Sequence, residues 1–163
     1  MALAAKQIWE MQVGSKTASV LVKTSEVIYH GALVGVDTNG LLNNWEDGSG
    51  APLDFWGIAV ITDQPRGGLS ENKGDADKVT GDGTIKCKVD ISGVILKNAA
   101  VTSLDNQNDV REVVYASDEN TLDLAAPAGS SEIGIVLGYS GVSGYGDVQL
   151  FSASEAILAS RLA

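Results

Sequence analysis

The sequence predicts a mainly β fold: a compact β-barrel or β-sandwich-like domain with an extended N-terminal arm and a short C-terminal helix. Three observations carry this expectation. Most apolar segments are short and rich in Val and Ile, and they are bounded by Gly, Asn and Asp. No amphipathic helix separates them before the C-terminus.

Residues 1–18 read as an N-terminal arm or a first strand. In Gln7-Ile8-Trp9-Glu10-Met11-Gln12-Val13, alternation places Trp9, Met11 and Val13 on one side. Such a segment either adds to the edge of a partner's sheet or packs as the first strand of its own barrel. Both readings stay open. The candidate partner-binding residues are Ile8, Trp9, Met11 and Val13.

Residues 19–152 form the β-rich core, with strands expected at 19–23, 32–37, 56–62, 85–91, 113–117, 133–139 and 148–152. Turn signals separate them, among them Asp37-Thr38-Asn39-Gly40, Gly81-Asp82-Gly83 and Ser117-Asp118-Glu119-Asn120. Within 85–91, Ile85, Cys87, Val89 and Ile91 share one face, so Cys87 is expected to be a buried structural thiol. Trp56, beside Gly57, is expected in the core, and Trp45 as an exposed contact. The Ser- and Gly-rich stretch before 148–152 reads as a hairpin loop.

Residues 153–163 carry the helix. Ser152-Ala153-Ser154-Glu155 has capping-box spacing, and Ile157, Leu158 and Leu162 fall on one side of 155–162. So short a helix is unstable alone, and docking on its own domain is the favoured expectation.

A long-range echo runs through the chain. Ala32-Leu33-Val34-Gly35-Val36-Asp37-Thr38-Asn39-Gly40-Leu41 is followed, after a polar loop, by Trp56-Gly57-Ile58-Ala59-Val60-Ile61. Later, Val113-Val114-Tyr115-Ala116-Ser117-Asp118-Glu119-Asn120-Thr121-Leu122 is followed by Glu132-Ile133-Gly134-Ile135-Val136-Leu137. The echo predicts two related β-units closing into one barrel-like domain, the competing reading being chance similarity among Gly- and Val-rich strands. Gly57 and Gly134 are expected to serve close strand packing or bends in the closing sheet.

Composition narrows the function classes. The chain has 163 residues, 44% of them hydrophobic, which suits one ordinary domain with a real core. Acidic residues outnumber basic ones 21 to 11 for a net charge of −10, which argues against nucleic acid or an anionic membrane as partner. One cysteine excludes an intrachain disulfide framework. No run approaches a membrane span or a signal-peptide core, so an intracellular product is expected.

Catalytic patterns are weak. The one histidine, His30, sits beside Gly31 with no nucleophile elbow in the chain, so a turn role is expected. No phosphate-binding loop occurs. Asp75 and Asp77 match two places of a calcium loop, but Val79 fills the third, and solvated loop carboxylates are the better reading. The expectation is a protein that is not an enzyme and carries no cofactor or metal.

The repeated theme resembles the capsid cement, or head decoration, proteins of tailed bacteriophages. The likeness lies in Gly31-Ala32-Leu33-Val34, Trp56-Gly57-Ile58-Ala59, Val113-Val114-Tyr115-Ala116-Ser117 and Ile133-Gly134-Ile135-Val136-Leu137, and covers roughly residues 25 to 151. These motifs are short and degenerate. The resemblance implies a small β-rich homotrimer on the outer surface of the virion capsid, made in the host cytoplasm and clamping the major capsid protein. It also supports the N-terminal arm as a capsid contact. Rival readings are a tail-tube or head-fibre component and, from another class, a β-barrel ligand-binding or hydrolytic domain using clustered Asp and Trp.

Overall fold

The computed structural model describes residues 10–11, 16–46, 53–61, 78–126 and 131–162. It is mainly β, with one short C-terminal helix, as the turn-punctuated Val and Ile segments predict. A two-residue strand β1 (Glu10–Met11) precedes the rest. Then come β2 (Thr17–Leu21), β3 (Val27–Tyr29), β4 (Leu33–Val36), β5 (Leu42–Asn44), β6 (Asp54–Ala59), β7 (Lys78–Thr80) and β8 (Lys86–Asp90). After a short link follow β9 (Ile95–Thr102), β10 (Val113–Asp118), β11 (Thr121–Asp123), β12 (Glu132–Tyr139), β13 (Tyr145–Leu150) and α1 (Ala153–Leu162).

The strands form two units of the same design. In the second, the order β9-β11-β10-β12-β13 is closed by pairing of β13 with β9, giving a five-stranded barrel. In the first, the order is β2-β8-β6-β4-β5, and a parallel bridge between Val22 and Leu42 joins the two outer strands. The Lys23 amide donates to Leu42 O at 3.0 Å beside that bridge. The second unit closes equivalently, through the parallel pair Val101 and Leu122. The small ribbon β3–β7 belongs to the first unit alone.

The equivalence extends to single residues. Leu33 lies opposite Ile58 and Val34 opposite Gly57, after which the register shifts by one at Trp56. Val113 lies opposite Ile135 and Val114 opposite Gly134, and the same shift follows at Ile133. The bulge adds local twist where each sheet curls towards closure. At the next strand the chains come so close that side chains are excluded. A Cβ on Gly57 would overlap the Asp90 carbonyl oxygen, and one on Gly134 would overlap that of Gln149. The echo is therefore a structural repeat. Its expected outcome needs one correction, since each unit closes its own ring instead of the two sharing one.

Two apolar cores result. One holds Val22, Ile28, Val34, Leu42, Ile61, Val79, Cys87 and Val89 inside the first unit. The other fills the second barrel and continues into Leu33, Trp45, Phe55 and Ile58 of the first. That shared face joins the units, helped by Leu33 N–H donating to Glu119 O at 2.9 Å. Helix α1 packs on β6 and β12, closing the seam between them.

Glycine at the two crossings is thus a requirement of ring closure. Gly57→Ala and Gly134→Ala are each expected to cost about 2–3 kcal/mol, because the obstacle is paired backbone that cannot step aside. Gly138→Ala, whose Cβ meets only Asp147 Cβ at 4.0 Å, is expected to be near neutral. Urea unfolding of the three variants checks this ranking.

Candidate functional site

The N-terminal segment meets the body of the protein at β9. Glu10 lies opposite Lys97 and Met11 opposite Leu96, antiparallel. Along its other edge β9 is paired with β13. The β1 edge is divided, with β1 seated on its first half and β11 on its end at Val101 and Thr102. At these two residues the segment behaves as a first strand on its own barrel. Of the four predicted contact residues, Met11 lies in β1, and Ile8, Trp9 and Val13 lie outside the described residues.

Beside that seat the Lys97 ammonium pairs with the Asp147 carboxylate of β13. The Asn98 amide donates to the same carboxylate at 2.9 Å. The lysine first, and the amide second, hold the Asp147 carboxyl below its ordinary value. Asn98 adopts a positive φ of 47°, which kinks β9 and points its amide at Asp147.

The C-terminal helix begins as predicted. The Glu155 amide donates to Ser152 Oγ at 3.3 Å, and the Ser152 amide donates to Glu155 Oε2 at 2.8 Å. Its docking face differs from the expected one. Small Ala153 and Ala156 are buried against β6 and β12, where they permit close approach, while Leu158 is 60% exposed and Leu162 84%. Together with Leu137, Val142 and Tyr145 on the β12–β13 hairpin, these are the exposed large apolar side chains among the described residues of the C-terminal third.

Between the helix start, the end of β8 and β6 lies an open groove of about 680 Å³. It is lined by Lys16, Trp56, Ile91, Ser92, Ser154 and Ile157, among others. The indole N–H of Trp56 is buried without a hydrogen-bond partner among the described residues. A smaller polar recess of about 210 Å³ lies among Lys23, Glu26, Asp37, Asn43, Asn44 and Glu46. Most of its polar groups serve the fold. Asp37 accepts from the Asn39 and Leu41 amides, and Glu26 accepts from the Asn44 amide and side chain.

Trp45, expected as an exposed contact, is buried, and Trp56, expected in the core, is partly buried against the core of the first unit. Trp45 is 2% exposed, edge-on to Phe55 with ring centroids 5.5 Å apart, and its Nε1 donates to Ala116 O at 2.9 Å. It wedges the two units together. Trp56, the bulge residue, is half-buried at the groove.

The other candidates take structural places. Cys87 is buried as alternation predicts, and burial pushes its thiol up to about 12, which removes the thiolate needed for attack. His30 sits in the turn after β3, where Nδ1 accepts from the Ile61 amide at 3.2 Å. Asp82 caps its own turn, accepting from the Thr84 amide at 2.7 Å and the Ile85 amide at 3.0 Å. Asp75 and Asp77 lie outside the described residues. Among the described residues no group of His, Cys, Asp and Glu is arranged to hold a metal ion, and no helix is long and apolar enough to cross a membrane.

No family model matches the chain, and no curated protein does. The geometry itself therefore directs attention to surfaces: the β1 seat, the exposed leucines of α1 and the strand edges left without a strand among the described residues. The Lys97–Asp147 pair and the groove are hidden from a sequence reading, because their members come from distant segments. The one signal for the pair is the Lys97-Asn98 interruption of an otherwise apolar run.

Two expectations follow for the joint and the seat. Trp45→Phe keeps most of the packing but strands the Ala116 carbonyl, costing about 1–3 kcal/mol in denaturant unfolding. Asp147 has a folded pKa below its ordinary 3.8, so its contribution is present above that value and lost as pH falls through the depressed one. The stability gap between the protein and Asp147→Asn should accordingly be full at neutral pH and narrow in acid, as measured by unfolding at a series of pH values.

Proposed function

We propose that this chain is a structural virion protein, a capsid decoration protein that binds the outside of the mature phage head as a homotrimer and clamps neighbouring major capsid subunits. The observation that supports this reading is the structural equivalence of the resembling segments. Leu33-Val34 and Val113-Val114 occupy one position in two equivalent rings, and Gly57-Ile58 and Gly134-Ile135 occupy the next. The likeness to cement proteins thus falls on a repeated, closure-defining unit and not on scattered strand residues.

The physics of the role suits such a body. Packed DNA pushes a shell outward, and a protein bound across a subunit junction opposes separation. It stabilises the shell only to the extent that it prefers the expanded lattice to the separated or unexpanded subunits. A trimer touching several subunits gains effective concentration, so contacts that are modest singly give slow release. The acidic balance of −10 suits a surface facing solvent, away from the packaged DNA.

Purified chain mixed with expanded heads that lack it is expected to bind saturably and to raise their resistance to heat or chelator. Absence of binding to expanded heads, or equal binding to unexpanded ones, would contradict the proposal. Deleting residues 1–9 leaves β1 in place and probes the arm. Head affinity is expected to fall by about tenfold or more while the melting curve of the free protein keeps its shape.

A further inference from the structure

We propose that the outer edge of β2 is a docking site for an acidic, extended segment of a partner protein, which adds to it as a further strand. This site is independent of the capsid reading and is located by the repeat. Thr17 lies opposite Asp90, the residue that faces Ile58, and Ile95 lies opposite Gln149, the residue that faces Ile135. So β2 is the counterpart of β9, and Ser19 is the counterpart of Lys97. On β9 the edge at Lys97 is covered by β1. On β2 the corresponding edge has no strand beside it among the described residues.

The direction of the backbone groups follows from the ladder. Ile91 N–H donates to Lys16 O at 2.9 Å, and Val22 N–H donates to Ile85 O at 2.9 Å. Lys16, Ala18, Val20 and Val22 therefore bond towards β8, which turns the amides and carbonyls of Thr17 and Ser19 outward, while the outward side of Leu21 already meets β5 at the Val22–Leu42 bridge. The same outward phase continues at Lys23, whose N–H reaches Leu42 O across the closure. Two alternate outward positions, Thr17 and Ser19, form a short template for an incoming strand.

Charge selects the occupant. Asp147 of β13, which neutralises Lys97, has Lys88 of β8 as its counterpart, and Tyr145 has Lys86. Lys86 and Lys88, on the face that Thr17, Ser19 and Leu21 share, are exposed beside the β2 edge, and neither forms an ion pair among the described residues, whereas Lys16 faces the groove at Trp56 and Ile91. The carboxylates on the same ribbon are turned to their own chain, Asp90 to Ser92 and Asp82 to Thr84 and Ile85. A protein with a net charge of −10 thus presents a basic strip at an open strand edge. The lysines repel a second copy of β2, which guards against edge-to-edge association, and attract a strand carrying carboxylates at alternate positions.

Amide NMR titration of the full chain with a short peptide alternating threonine and glutamate tests the site. The expected result is saturable, salt-sensitive binding with the largest shifts at Thr17 and Ser19. Ser19→Pro removes an outward N–H while leaving the β8 ladder intact, and is expected to abolish those shifts. The double variant Lys86→Glu, Lys88→Glu keeps the backbone edge, and is expected to weaken the glutamate peptide by about tenfold and to favour its lysine analogue. Absence of saturable binding, equal binding of the lysine analogue to the unaltered protein, or unchanged binding by the double variant would overturn the proposal. So would preferential capture of a single-stranded oligonucleotide by the same lysines.

Discussion

The approach of a bare glycine backbone to the carbonyl of the neighbouring strand governs this molecule. Gly57 against Asp90 and Gly134 against Gln149 are the equivalent points where neighbouring strands of each ring come too close for a side chain. A bulge beside each glycine supplies the twist, and a parallel contact, Val22 with Leu42 or Val101 with Leu122, completes the ring. Closure also addresses the hazard of any β protein, an open edge that recruits other chains. The edges left without a strand among the described residues, along β2 above all, are consequently informative.

The two rings act as one body because of what crosses between them. Leu33, Phe55 and Ile58 belong to first-unit strands yet pack in the second core, and Trp45 ties the joint through Ala116 O. Burying an indole and satisfying its N–H at the same place gives both area and orientation. Helix α1 then covers the seam with alanines, leaving its leucines outside. A rigid double unit bearing exposed apolar and basic edge features is suited to contacting other proteins over a broad surface.

Much of this is legible in the residues. Val- and Ile-rich segments, glycine turns and the capping box locate β4, β6, β8, β10, β12, β13 and the helix start, and strict alternation places Cys87 inside. Strand β9 escapes such a reading, because Lys97 and Asn98 interrupt its alternation where the chain kinks. Strands β3, β5, β7 and β11 are three residues each, too short for a period to emerge. Trp45 comes out buried instead of exposed because periodicity names a face but not what covers it. Trp45 lies in the second core beside Phe55 and gives its N–H to Ala116 O, 71 residues away. The same limit applies to α1, where small residues, not the largest apolar ones, make the docking face.

The proposed clamp gives these features a mechanical role. A preformed, closed scaffold needs little ordering when it binds, so contact energy is retained as affinity. Electron microscopy of intact virions of the phage that the proposal implies, at a resolution that separates strands, tests this most directly. The expected result is trimers of the double-ring body on the outer capsid surface, each bridging neighbouring major capsid subunits. Finding the double ring in the tail tube or in fibres, or finding none of it on the virion, would contradict the account.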